Sequence, residues 1–241
     1  MSHSHSLKIY RRRWHLVVTF AVIFLPFLFI FGFTKYAGIQ TSTVFIDLGA
    51  SLLRVFSAYA ASVFLAMILV LLINGRRFEN FFLPVLDVLQ SFPAFALLPI
   101  LTVWFGPGNL AAIFFLIATM LWPILFSALS SIRMERKDLE EAAVIFGARG
   151  TKKLISFTLP MALPGLVMGS IVGLGEGWEA IVGAEIIGVT PGIGNFLNTA
   201  AVKGEYQILA FGIIALLLFL FTLNKLIWLP LLKRSHDYSH E

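Results

Sequence analysis

The chain of 241 residues contains no cysteine and few charged residues. The absence of cysteine excludes a disulfide framework and any thiolate metal or redox site. Charged residues make up only 13% of the chain, whereas soluble domains carry about a quarter. Hydrophobic residues make up 59%, and the mean hydropathy is +0.89. This composition predicts an integral membrane protein embedded in a lipid bilayer.

The signatures of nucleotide-binding proteins and of common hydrolases are also missing. The chain has no Walker A pattern, no GxGxxG fingerprint and no nucleophile elbow. Its five histidines lie in the two tails and at His15, so no predicted span carries a catalytic histidine constellation. The paired histidines near the start lack the further ligands that a metal shell needs. We predict no catalytic, cofactor-binding or metal-binding residue, and we do not expect an enzyme.

Long apolar runs define the predicted architecture. A membrane-spanning helix needs roughly 20 apolar residues, and six runs qualify, at about 15–33, 53–74, 81–105, 109–130, 164–188 and 208–231. The first is too long for a signal-peptide core and has no cleavage site before Lys35, so we expect it to be retained. We find no internal repeat, and residues 34–50 are predicted to form an outer loop between the first two spans. The sequence predicts an all-α integral membrane fold, with residues 1–241 forming a single transmembrane domain.

Basic residues set the predicted orientation. If both ends are cytoplasmic, 14 of the 18 Lys and Arg residues fall in inside segments, and only Lys35 and Lys203 fall outside. Arg54 and Lys225 lie within spans. This asymmetry satisfies the positive-inside rule. It also explains the basic balance of the chain without a nucleic-acid partner, which we do not expect.

The most informative segment is EAAVIFGARGTKKLISFTLP at residues 141–160, within a polar cytoplasmic stretch at 131–163. Helix formers predict a short helix over 138–146 that ends at Gly147. A second short helix is predicted over 151–158, stopped by Pro160. The motif residues are Glu141, Ala142, Ala143, Gly147, Leu159 and Pro160.

The spacing of these motif residues resembles the EAA loop of bacterial ABC importer permeases. One position departs from the family pattern, because Phe157 stands where isoleucine is usual. Residues 52–75, 89–106 and 177–200 also resemble blocks of the nitrate, sulfonate and taurine importer permeases. The resemblance covers about two-thirds of the chain.

The resemblance implies a fold and a set of partners. It implies a type I ABC importer permease fold in the bacterial inner membrane, as a multi-pass subunit that forms the solute path. Implied partners are a second permease copy in a homodimer, ABC ATPases that bind ATP and Mg²⁺, and an extracytoplasmic substrate-binding protein. The EAA loop would couple the permease to the ATPase.

The fifth predicted span is rich in glycine and carboxylates. Gly165, Gly169, Gly173 and Gly177 form a small-xxx-small ladder that suits close helix packing. The dense GLGEG run at 173–177 predicts local unwinding as an alternative to packing. Carboxylates are costly within a membrane and favour a bundle interior or a water-filled path. At 100° per residue, Glu176 and Glu179 share a face, whereas Glu185 lies about 180° from Glu176.

These features lead to a predicted translocation path. Proline should break the third span, and irregular backbone at membrane depth requires protein or water beside it. The predicted path residues are Pro93, Pro99, Glu176, Trp178, Glu179 and Glu185. Ion pairing of the glutamates with Arg54 or Lys225 is the structural alternative.

Two other functions remain open at this point. One is an ion-coupled secondary transporter that uses the intramembrane glutamates, which predicts internal repeats and transport without ATP. The other is a membrane-embedded enzyme. The charge of the solute is also open, since two unpaired glutamates would disfavour an anion.

Overall fold

A computed structural model describes residues 20, 23–73, 76–134, 145 and 150–228, without the side chains of 76–80, 134 and 228. All regular structure in these ranges is helical, which confirms the all-α prediction. We number the helices α1 to α8 in chain order. They are α1 (Ile23–Ala37), α2 (Thr41–Ile73), α3 (Arg76–Gln90), α4 (Leu97–Phe105), α5 (Asn109–Met134), α6 (Gly150–Ile186), α7 (Ile193–Val202) and α8 (Tyr206–Leu223).

Membrane-length helices account for five of the predicted spans. Among the described residues, α2, α5, α6 and α8 are long and apolar enough to cross a bilayer, and the bent pair α3–α4 makes a fifth. The first predicted span, 15–33, begins outside the described residues, and α1 overlaps its later part. The span at 15–33, which would bring the total to six, and the cytoplasmic position of both ends stay predictions.

Helix α2 is longer than the sequence predicts. Its 33 residues begin at Thr41, within a stretch that hydropathy assigns to an outer loop. At 1.5 Å per residue the helix is roughly 50 Å long, well beyond a hydrocarbon core of about 30 Å. Polar Asp47, Ser51 and Arg54 interrupt the apolar pattern in these first turns, yet all three side chains are buried. The predicted loop was therefore wrong.

The glycine ladder packs α6 against α5. A Cβ added at Gly169 would lie 2.6 Å from the carbonyl oxygen of Pro123, and one at Gly165 would meet the backbone of Ser127. At Gly177 it would overlap Met120. Helix α6 is continuous through residues 173–177, so the prediction of local unwinding was wrong. Close approach to α5 explains the ladder, as in other membrane bundles.

The third span is broken, as predicted. The segments Phe81–Gln90 and Ala94–Phe105 meet at 72°. Pro93 lies at the break and leads into a single 3₁₀ turn over Ala94–Ala96. Pro99 causes no break because it lies in the first turn of α4, where backbone N–H groups need no partner within the helix.

The start of α6 corrects a third prediction. Pro160 does not stop a short helix, because α6 runs through it from Gly150 to Ile186. A π turn over Leu154–Thr158 precedes the proline, and the N–H of Leu159 donates to the carbonyl oxygen of Leu154. In a π turn each N–H bonds to the carbonyl oxygen five residues back and not four. The hydrogen-bond register therefore changes directly before Pro160, which has no N–H to donate.

A second core cluster joins α1 to the C-terminal helices. The ring of Phe211 in α8 stacks on Phe33 at 3.9 Å between centroids and on Phe29 at 5.3 Å. Buried Val44 and Ile193 bring α2 and α7 to the same cluster. The bundle thereby holds α7 against the ends of α2 and α6.

Candidate functional site

The broken third span borders a cavity of about 370 Å³. The cavity lies between the break, α5 and α6, and it combines polar with aromatic side chains. They include Gln90, Phe95, Thr119, Trp122, Glu176 and Glu179. Two of the predicted path residues therefore lie together on this cavity, and Pro93 lies between the lining residues Phe92 and Ala94.

Glu176 and Glu179 are the charged groups of the cavity. They lie nearly one turn apart on α6 and share a face, as the helical spacing predicted. Both side chains are exposed in the single chain. Within the described part of the chain, neither carboxylate accepts a hydrogen bond or forms an ion pair, and no lysine or arginine lines the cavity.

An aromatic wall borders the same space. Phe95 follows the break and lies over Gly183 of α6, where an added Cβ would come within 2.7 Å of its ring. Its ring also meets that of Phe115 edge-on, with centroids 5.2 Å apart. Trp122 of α5 lines the cavity as well. Phe95 therefore packs the broken span against both α5 and α6, next to the carboxylates.

Glu185 belongs to a different site, at the end of α6. Its carboxylate is fully buried, and Arg54 Nη1 lies 2.7 Å from Glu185 Oε1. Ser51 Oγ donates to the same carboxylate at 2.8 Å. The guanidinium of Arg54 is also bound by Asn109 Oδ1 at 2.7 Å and by the carbonyl oxygen of Pro191 at 2.6 Å. Arg54 therefore pairs with Glu185 and not with the cavity glutamates.

The network around Glu185 also holds the start of α7. The backbone N–H groups of Gly192, Ile193 and Gly194 donate in turn to Asp47 Oδ1, Ser51 Oγ and Glu185 Oε2, at 3.0, 3.0 and 2.9 Å. Side-chain oxygens at a helix N-terminus satisfy amides that have no partner within the helix. A Cβ added at Gly192 would overlap the Glu185 carboxylate, so this close approach requires glycine.

Sequence reasoning missed most of this second site. Asp47, Ser51 and Arg54 are spaced at i, i+4 and i+7, which places them on one helical face. That spacing was the signal, but the residues lay in a predicted loop and at a span end. Nothing in the sequence marks Gly192 and Gly194 as part of this site, because the need for glycine there comes from their contact with Glu185.

The remaining predicted site residues lie elsewhere. Trp178 packs edge-on against Phe219, with centroids 5.9 Å apart, and lines a smaller cavity of about 190 Å³ beside α8. Pro99 and Glu185 line neither cavity. Glu141, Ala142, Ala143 and Gly147 lie outside the described residues, whereas Leu159 and Pro160 lie within α6.

Comparison with known proteins decides the family. Residues 58–228, well over half of the chain, match the family described as binding-protein-dependent transport system inner membrane component. The chain belongs to this family. Membership confirms the type I permease fold, a multi-pass location in the inner membrane, and a role as the permease subunit of an ABC importer. It also implies a substrate-binding protein and an ATPase as partners.

Several curated relatives are transport permeases. The chain is 29% identical over 190 residues to the taurine transport system permease protein TauC of Escherichia coli. It is 32% identical over 151 residues to the bicarbonate permease CmpB of Synechococcus elongatus and 29% over 180 residues to the nitrate permease NrtB of Synechocystis. The matches cover 78%, 61% and 74% of this chain and 69%, 54% and 63% of the relatives. These names do not favour a secondary transporter or an enzyme.

Proposed function

We propose that this permease pairs with a second copy of itself and that solute crosses the membrane past the cavity at the α3–α4 break. The observation that carries the proposal is the unpaired carboxylate pair of Glu176 and Glu179 in that cavity. A carboxylate at membrane depth is least costly where water reaches it. Broken backbone at the same depth also needs protein or water beside it.

Helix α6 offers a mechanical link from the ATPase to the cavity. It runs from Gly150, through the π turn at Leu154–Thr158 and past Leu159 and Pro160, to the glutamates. We infer that ATPase closure moves the coupling segment 141–160, and that α6 carries the movement to the cavity wall. A continuous helix suits this task because its backbone hydrogen bonds make it rigid along its length.

The second copy would complete the path. Glu176 and Glu179 are exposed in the single chain, and so are two apolar residues, Phe92 within the break and Ile100 in α4. Symmetric pairing is the commonest arrangement of such subunits. A partner across this opening would enclose the carboxylates and leave a polar passage between the copies.

Glu179→Gln in the complete importer tests the proposal. The substitution keeps the shape of the side chain and removes its charge, so we expect uptake to change by several-fold while the amount of assembled complex stays the same. ATP-dependent uptake into proteoliposomes is the measurement. Glu205→Gln, at an exposed position before α8, is the matched control and should leave uptake unchanged.

Normal uptake by the Glu179→Gln importer would remove the cavity from the path. Loss of assembly would show that Glu179 has a structural role instead. Uptake that persists without ATP would contradict the coupling to an ATPase.

A further inference from the structure

The cavity presents negative charge to any molecule that enters it. Glu176 and Glu179 line it together. A third carboxylate, Asp87, lies at its rim, because Gln90 lines the cavity and donates Nε2 to Asp87 Oδ1 at 3.2 Å. Two acidic groups therefore line the cavity and a third lies one hydrogen bond away from a lining residue, and no basic residue among the described ones lines it.

The basic residues within the spans do not neutralise this charge. Arg54 is bound by three acceptors in the Glu185 network, on another face of α6. Lys225 forms no ion pair with either cavity glutamate in the part of the chain that the structure describes. A counter-charge for the cavity must therefore come from outside these residues.

The aromatic side chains that line the cavity also favour a positively charged solute. Phe92, Phe95 and Trp122 line the cavity beside the carboxylates. The face of an aromatic ring attracts a cation within about 6 Å, most strongly when the cation is organic and weakly hydrated. Carboxylates and rings together suit a protonated amine with an apolar part.

We propose that the cavity beside the α3–α4 break accepts solutes that carry an organic cation, such as a protonated amine, and disfavours simple anions. The proposal rests on the proposed function, since it assumes that the cavity lies on the solute path. It sets this chain apart from relatives whose names specify nitrate or bicarbonate.

A single cysteine in the cavity can test this directly, because the chain has none of its own. Thr119→Cys places a thiol of similar size on the cavity wall. The full chain in lipid nanodiscs is treated with two methanethiosulfonate reagents, one with a trimethylammonium group and one with a sulfonate group. The rate with the cationic reagent is divided by the rate with the sulfonate reagent. Dividing this ratio by the same ratio for a free thiol in solution gives a normalised ratio that measures the preference of the cavity for cations.

We expect this normalised ratio to favour the cationic reagent by on the order of tenfold, since clefts of one charge sign concentrate counter-ions to that extent or more. Adding Glu176→Gln and Glu179→Gln should bring the ratio close to that of the free thiol. Adding Glu205→Gln, a remote carboxylate, should not. If the double variant fails to accumulate, high salt should lower the ratio of the single variant by screening.

The outcomes separate the two proposals. A ratio near one, or in favour of the sulfonate, would overturn the cation preference and leave the path intact. A thiol that reacts with neither reagent would mean that water does not reach the cavity, which overturns the proposed path as well.

Discussion

The two carboxylate sites of α6 lie within two turns of each other, yet their surroundings are opposite. Glu185 is fully buried and receives hydrogen bonds from Arg54, Ser51 and the backbone of Gly194. Glu176 and Glu179 are exposed to a cavity and have no such partner among the described residues. A buried charge that is paired with an opposite charge and held by several hydrogen bonds fixes one arrangement of helices. An unpaired charge at an opening is available to a solute.

The largest expected effect is the loss of stability when the Glu185 network is broken. Glu185→Ala should leave the Arg54 guanidinium buried and unpaired, and breaking such a pair costs about 3–5 kcal/mol. We expect loss of most folded permease and a lower midpoint of thermal unfolding in detergent. Arg54→Leu should do the same.

The double variant Arg54→Leu with Glu185→Leu provides the control. It removes both charges, so it should recover part of the stability that either single change loses. Single variants with normal unfolding midpoints would show that the network does not hold α2, α6 and α7 together.

The next effect concerns the packing of α6 against α5. Gly169→Ala should place a Cβ 2.6 Å from the backbone of α5, and overpacking of this kind costs about 1–3 kcal/mol. Gly175→Ala meets nothing within 4 Å and is the matched control on the same helix. The Gly169→Ala variant should therefore have a lower midpoint of thermal unfolding than the Gly175→Ala variant. Equal midpoints would contradict the close packing of α6 on α5.

A smaller effect on folding, but a large one on transport, is expected at the coupling segment. The sequence predicts that Gly147 needs positive φ at a helix end, where valine costs about 1–3 kcal/mol of local strain. Gly147→Val should insert in the membrane but lose uptake and binding of the ATPase. Gly147→Asn tolerates this conformation better and should retain more of both. Normal uptake by the valine variant would refute the loop assignment.

Much of this comparison could be predicted from the sequence, for physical reasons. Helical spacing alone separated Glu176 and Glu179 from Glu185, and proline chemistry predicted the break near Pro93. The pairing of Arg54 could not be chosen in advance, because its partners Asn109, Glu185 and Pro191 come from three separate places in the chain. Only the folded bundle brings them together.

Two of the three wrong predictions share one cause. Hydropathy treats polar residues as loops, yet Asp47 and Ser51 lie in a helix because their partners are also buried. Local glycine density predicted unwinding at residues 173–177, but close contact with Met120 explains it. Pro160 predicted a helix end, which the π turn avoids. In the first two cases a neighbour distant in sequence outweighs local propensity, whereas at Pro160 the adjustment is local.

The central claim is that the cavity responds to the ATPase while the hydrogen bonds of the Glu185 network stay intact. The most direct measurement is the rate of N-ethylmaleimide reaction with Thr119→Cys in the complete importer, without nucleotide and with ATP trapped. Val202→Cys, at the exposed end of α7, is the reference position. We predict that the rate at position 119 changes by on the order of tenfold between the two states, while the rate at position 202 stays constant. Equal rates at position 119 in both states would contradict the account.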